Sequence, residues 1–203
     1  MHRLLAIACC LTLLLTAGVA TAKDFKSNTA VESGYIWMFG YDTRASSMRM
    51  PPTLCYGGTL FQIIDFPWAR NMVAEVNYLY TKIRGESFDW EGRDSNLFDL
   101  QWQNVAFNVG YMFEGRRLHP YLSMGPGVSI MHYEDRADER INELNFSFNL
   151  GGGVEYTLWE TGMAALERVD LGVRLRYFYI DKKEMFNDGN SGVALTLRLN
   201  LRW

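Results

Sequence analysis

A chain of 203 residues has room for one domain or two small ones. With 48% hydrophobic residues, a mean hydropathy of −0.12 and a formal net charge of −3, it is too polar on average for a bundle of membrane helices and has no basic excess with which to hold nucleic acid. Those figures leave room for a barrel of membrane strands, because only alternate residues of such strands face lipid.

The chain starts "MHRLLAIACCLTLLLTAGVATA". Arg3 supplies a short positive segment, Leu4 to Leu15 an apolar core, and Ala20-Thr21-Ala22 a cleavage site of the A-x-A kind. Residues 1–22 therefore read as a secretory signal peptide, with Lys23 opening a mature domain over 23–203. Cys9 and Cys10 leave with the signal and come too early for a lipid-modified cysteine. Cys55 is then alone, so no disulfide within the chain is expected, and it reads as a small buried or lipid-facing residue.

Beyond Phe25 the recurring pattern is alternation with a period of two, the mark of strands with two different faces. "VESGYIWMF" and "CYGGTLFQI" show it loosely. "MVAEVNYLYTK" sets Met72, Ala74, Val76, Tyr78 and Tyr80 against Glu75, Asn77 and Thr81, and "NVAFNVGYMF" sets Val105, Phe107, Val109, Tyr111 and Phe113 against Asn104, Ala106, Asn108, Gly110 and Met112. "YLSMGPGVSIM" alternates Leu122, Met124, Val128 and Ile130 with Ser123, Gly125, Gly127 and Ser129. "LNFSFNLGGGVEYTL" places Leu144, Phe146, Phe148, Leu150, Val154, Tyr156 and Leu158 on one side. "VDLGVRLRYFY" does the same with Val169, Leu171, Val173, Leu175, Tyr177 and Tyr179. The last run, "SGVALTLRLNLRW", alternates Val193, Leu195, Leu197, Leu199, Leu201 and Trp203 with Ala194, Thr196, Arg198, Asn200 and Arg202. "ETGMAALERV" has room for one helical turn in a connection.

Each of these eight strands is near the length that crosses a bilayer at a tilt. Connections 41–52, 84–97, 134–143 and 181–190 are polar and mostly long, whereas 65–70 and 114–118 are short and 159–167 is intermediate. Long loops on one side and short turns on the other fit a membrane barrel with its short turns, and both ends of the chain, in the periplasm. The alternation predicts an all-β fold: an eight-stranded antiparallel up-and-down transmembrane β-barrel. A soluble sandwich also alternates, but three features oppose it. The mature chain has only Lys23, Lys26, Lys82, Lys182 and Lys183, none in mid-strand, where a wetted sheet is normally rich in lysine. Gly34, Gly57, Gly110, Gly125, Gly127, Gly151, Gly153, Gly172 and Gly192 fall on the polar face, as close approach inside a small barrel requires. The aromatics form two girdles: Tyr35, Trp37, Phe39, Tyr78, Tyr80, Tyr177 and Tyr179 toward the outer ends, and Phe66, Trp68, Tyr111, Phe113, Tyr156, Trp159 and Trp203 toward the periplasm.

The signal peptide, the eight strands, "HPYLSMGPGVSIM" after a tight turn and the closing "LTLRLNLRW" resemble the small outer-membrane β-barrel family, which includes the opacity proteins and the transmembrane domain of OmpA. The resemblance implies residence in the bacterial outer membrane, in contact with its lipid and lipopolysaccharide. It also implies that Leu195, Leu197, Leu199, Leu201 and Trp203 form the signal read by the barrel-assembly machinery. No peptidoglycan-binding domain is expected after Trp203.

The polar face carries Glu32, Glu75, Glu155 and Asp170 beside Arg174, Arg176, Arg198 and Arg202, with several asparagines. Charges in a narrow interior should pair, and an eight-stranded barrel is filled by its own side chains. The expected role is therefore structural or one of surface interaction, with an ionic network closing the lumen. Two alternatives stand beside it. One is a narrow porin-like channel whose arginines favour anions. The other is a lipid A-modifying hydrolase or acyltransferase, since such enzymes resemble this scaffold. The deacylase pattern of His-x-Ser is missing: His119 precedes Pro120-Tyr121 and His132 precedes Tyr133-Glu134. Asp94-Ser95 alone is turn chemistry. No enzyme, cofactor or metal site is expected, because the histidines show no ligand spacing. The mixed-sign loops "EDRADERINE" and "IDKKEMFNDGN" are where an extracellular ligand would bind, since binding residues tend to sit on loops held by rigid scaffolds.

Overall fold

The computed structural model describes residues 26–39, 47–66, 69–88, 95–113, 115–135, 140–163, 166–181 and 190–203. The signal peptide 1–22, Lys23, Trp68, Asp94, Lys182, Lys183 and the centres of the long loops lie outside the described residues. Eight long strands follow one another: β1 (Lys26–Phe39), β3 (Thr53–Phe66), β4 (Ala69–Phe88), β5 (Ser95–Met112), β6 (Leu118–Asp135), β7 (Arg140–Met163), β8 (Leu166–Ile180) and β9 (Asn190–Arg202). A three-residue strand, β2 (Ser47–Arg49), adds to the outer end of β4. The eight long strands pair antiparallel with their neighbours in the chain, and β1 pairs with β9 from Asn28↔Arg202 to Phe39↔Ser191, so the sheet closes. Closure leaves no free strand edge among the eight.

The pleat sends successive side chains to opposite faces, and here the faces are reversed relative to a water-soluble protein. Leu122, Phe146, Leu175 and Leu197 are each more than half exposed, while Asn104, Asn149, Asp170, Arg174 and Asn200 are fully buried. So continuous an apolar exterior would not persist against water; its solvent is lipid. On β7 the exposed apolar residues of the outward phase run from Leu144 to Leu158, which at a rise of ~3.3 Å per residue and a tilt of ~40° spans roughly 35 Å, a hydrocarbon thickness and the edge of the interface. Tyr35, Phe39, Tyr177 and Tyr179 face outward at one edge, with Trp37, Tyr78 and Tyr80 less exposed beside them; Tyr111, Phe113, Tyr156, Trp159 and Trp203 face outward at the other. Tyr56 joins the outer girdle, its ring centroid 5.2 Å from that of Tyr80.

Three stretches differ from the sequence expectation. The segments 84–97 and 134–143 are mostly strand: β4 and β5 stay paired to Phe88↔Ser95, and β6 and β7 to Glu134↔Arg140. The mixed charges that made them look like loops are cross-strand pairs, Arg84–Asp99 at 3.3 Å and Arg140–Glu134 at 2.8 Å, with apolar residues such as Ile83, Phe98 and Tyr133 buried between them. The segment Glu160–Val169 forms the end of the β7–β8 hairpin rather than a helical turn, with Glu160 opposite Arg168 and Met163 opposite Leu166. A register shift after Thr157, with its extra residue on β7, sets Trp159 rather than Leu158 opposite Val169, and Val169 is buried instead of exposed to lipid. A second bulge separates Ile64↔Met72 from Phe66↔Ala69 and carries Asn71 at φ 61°, a left-handed conformation that asparagine tolerates better than most residues.

A closed ladder of this kind should resist unfolding by detergent. Isolated outer membranes run on an SDS gel should show the protein at one mobility unheated and another after boiling. A soluble periplasmic product with no shift would contradict the barrel.

Candidate functional site

The interior is divided along the barrel axis. Toward the short turns it is polar and charged, with a smaller apolar cluster of Phe61, Val73, Met112 and Tyr121; toward the long loops it is mainly apolar. Both zones arise from the same inward phase of each strand. On β4 that phase reads Glu75, Asn77, Leu79, Thr81, Ile83, and on β8 it reads Arg174, Arg176, Phe178, Ile180.

In the polar zone, Glu75 Oε1 accepts hydrogen bonds from Arg174 Nη2, from Asn108 Nδ2 at 2.8 Å and from Ser123 Oγ at 2.8 Å. Glu32 accepts from Arg176 Nη2 at 2.8 Å, from Thr196 at 3.0 Å and from Thr59 at 3.4 Å. Glu155 lies 3.5 Å from Arg198 Nη1 and accepts from Asn200 at 3.1 Å. Arg198 also donates to Tyr121 Oη at 3.1 Å and stands 4.6 Å from the Phe61 ring centroid, where the ring face attracts its charge. Three of the expected acidic residues and three of the expected arginines thus meet as three pairs.

The remaining two are arranged otherwise. Asp170 is held by Arg168, whose Nε is 2.8 Å from Oδ1, and by Thr157 at 2.8 Å. Arg202 donates from Nε to Asn28 Oδ1 at 2.9 Å. Arg168 shares the inward phase of β8 with Asp170 and lies just before the alternating run "VDLGVRLRYFY" begins. Ser123, Asn108, Thr196 and Tyr121 share the inward phase and were legible by that phase alone, though Tyr121 reads as an ordinary aromatic.

Three of the arginines face a glycine across the ladder. Gly153 is the cross-strand partner of Arg174, Gly151 of Arg176 and Gly172 of Arg198. A Cβ on Gly153 would meet the Tyr121 ring at 2.9 Å, so the aromatic that supports Arg198 and Arg174 occupies the room that the glycine leaves.

His119 Nε2 is 3.2 Å from Thr157 Oγ1, and that hydroxyl gives its one proton to Asp170. Thr157 can then only accept from His119, so Nε2 carries the hydrogen. A nucleophile would hand its proton to the histidine; this hydroxyl does not. His132 lies on the outer face of β6, its Nδ1 against Asn142 Oδ1. Ser95 opens β5 at the far outer end. Among the described residues no group of three metal-ligating side chains comes together.

Above the polar zone, Ile36, Cys55, Leu79, Leu100, Trp102, Met131, Phe178 and Ala194 fill the lumen in one cluster. Trp102 stacks on Phe178 with centroids 4.6 Å apart. Cys55 is inside this cluster rather than against lipid. On β9, Leu195, Leu197 and Leu199 point out to lipid, Leu201 is partly covered, and Trp203 is exposed beyond the strand end.

The sequence profile of the family described as outer membrane protein beta-barrel domain matches residues 7–202. No curated protein matches the chain by sequence. Among solved structures the fold is similar to Neisserial surface protein A, at 14% identity and a TM-score of 0.57 over 88% of this chain and 97% of that one. It is also similar to Ail, the attachment invasion locus protein of Yersinia pestis, solved with the heparin analogue sucrose octasulfate (12% identity, TM-score 0.49, 88% and 99% covered), and to the outer membrane enzyme PagL (15%, 0.43, 85% and 97%). At these identities the likeness speaks to fold alone, and one fold hosts unrelated activities.

Arg174→Met leaves the Glu75 carboxylate buried without its cation and should destabilise the folded barrel by about 3–5 kcal/mol. The double variant Arg174→Met/Glu75→Leu should recover most of that loss. Equilibrium urea unfolding in lipid vesicles, followed by tryptophan fluorescence, measures both; equal stability of wild type and single variant would remove the pair from the lumen.

Proposed function

The chain belongs to the outer membrane protein beta-barrel domain family, and on that premise we propose that it serves as a sealed barrel displaying a surface, not as a conduit or an enzyme. It is a protein of the outer membrane, set in lipid and lipopolysaccharide. The observation that carries the proposal is the apolar cluster closing the outer half of the lumen. Ile36, Leu79, Leu100, Trp102, Met131, Phe178 and Ile180 are all wholly shielded. An ion would have to shed its water to pass such a plug. Below the plug it would meet arginines already committed to carboxylates. A channel therefore faces two obstacles in series.

The surface role rests on the outer ends of the strands. β4 to β7 continue past the apolar belt, and their outer faces change to Lys82, Arg84, Asp99, Gln101 and His132. There the Lys82 ammonium, 2.7 Å from Asp99, holds that carboxyl below the usual carboxylate range. Paired strands that rise from the bilayer make a stiff support for the loops between them, which suits recognition of an extracellular ligand. The enzymatic alternative lacks an activated nucleophile among the described residues, as the Thr157 geometry illustrates. Leu195, Leu197, Leu199, Leu201 and Trp203 fit recognition by the barrel-assembly machinery, as the family resemblance implies.

In planar bilayers the purified protein should give no single-channel steps, and Trp102→Ala/Phe178→Ala should introduce them by opening the plug. Sustained ion-selective steps from the wild type would overturn the sealed reading. Lipid A mass spectra with and without the gene should be identical; a difference in acyl chains would restore the enzymatic one.

A further inference from the structure

At the short-turn end the barrel opens into a cavity of about 440 Å³, within the size range of small-ligand sites. Its wall divides by chemistry. One part is Arg116, Arg168, Arg202 and His119; the other is apolar, with Ile63, Met112 and Phe113. Among the described residues no carboxylate lines it. Asp170, the nearest buried acid, is occupied by Arg168, Thr157 and Asn200. Glu160, opposite Arg168 in the ladder, is solvent-exposed at the rim, close enough to attract His119 electrostatically.

Arg202 is the central group. Its side chain is nine-tenths buried, its Nε is fixed by Asn28, and its Nη2 meets no protein acceptor among the described residues; the same is true of Arg168 Nη2. Donors of this kind are costly to bury unless an acceptor reaches them. The strands fix Arg168 and Arg202 directly opposite each other, on β8 and β9. Two cations held side by side repel, so this arrangement favours an anion between or beside them.

We propose that this mouth binds an organic phosphate. A phosphoryl group offers several oxygens to several guanidinium forks at once, and the apolar half of the wall accommodates the organic part. The short turns place the mouth at the periplasmic membrane edge, so the phosphoryl group could be that of a free periplasmic ester or that of a phospholipid headgroup in the inner leaflet. For a headgroup, the acyl chains would leave past Phe113 and Leu118, which already face lipid.

The full-length mature barrel, folded in an uncharged glycoside detergent, would be titrated with glycerol 3-phosphate at constant ionic strength set by chloride. Thermal loss of the unheated gel form gives the readout. In a second arm, mixed micelles contain phosphatidylglycerol or a neutral diacyl glycoside. A saturable rise in melting temperature with glycerol 3-phosphate assigns the free source; a rise only with phosphatidylglycerol assigns the headgroup. Either response should weaken at least tenfold in apparent affinity in Arg202→Gln. Arg116→Gln, on the exposed turn, should weaken it too while leaving the melting temperature without ligand unchanged. It thus keeps the test valid if the Arg202 variant fails to fold. No response in either arm, or equal responses in wild type and Arg116→Gln, overturns the proposal.

Discussion

Eight strands close around an interior with room for side chains and little else, and the rest of this molecule follows from that shortage of space. Three arginines face a glycine across the ladder, and a Cβ on Gly153 would press on the Tyr121 ring that supports two of them. The same exchange recurs in the apolar zone, where Gly192 faces Phe178 and a Cβ there would fall within its ring. Large and small alternate from strand to strand, so the lumen is packed as a soluble protein's core is packed, with the polar atoms inside.

The two zones of that core answer to different physics. The apolar half is held by contact, needs no partners and excludes water. The charged half must match donors to acceptors, and it does so by letting one carboxylate oxygen serve several strands. Glu75 on β4 collects Asn108 from β5, Ser123 from β6 and Arg174 from β8. Glu32 on β1 ties β3, β8 and β9 in the same way. Two side chains thereby brace most of the circumference from within, across gaps that the backbone ladder spans only between neighbours.

Much of this was legible in the residues. Strand count, inward phase, the aromatic girdles and the glycine face all follow from a period of two, because the pleat allows no other reading once one face meets lipid. The identity of the inward charges follows too. Their partners did not: Arg168, which holds Asp170 from two residues before it on β8, precedes the alternating run, and Arg202 meets Asn28 only through the barrel's closure. The apolar cap was overlooked for a different reason. At the outer ends the pattern changes: "YIWMF" is apolar on both faces, and "NLFDLQW" puts Phe98, Leu100 and Trp102 inside with Asp99 and Gln101 outside, so the phase is legible only when carried over from the polar half of the same strand. Charged residues at 84–97 and 134–143 reinforced that misreading, since cross-strand ion pairs and solvated loops have the same composition.

The buried pairs are best understood through register. Replacing a buried ion pair by well-packed apolar residues is often neutral or stabilising, so net stability alone is a weak reason for Glu32–Arg176 and Glu75–Arg174 to exist. A strand that slips by one residue, however, exchanges its two faces. For β8 that slip would drive both Arg174 and Arg176 into hydrocarbon, at about 2–4 kcal/mol for each arginine near the bilayer midplane. It would also strand two carboxylates inside. Leucine in those positions would slip almost freely, because lipid and lumen would then accept it equally. In a barrel whose outer solvent is itself apolar, hydrophobicity cannot tell inside from outside. The inward arginines do, and the carboxylates fixed on β1, β4 and β7 make the correct register the one in which each arginine is paired.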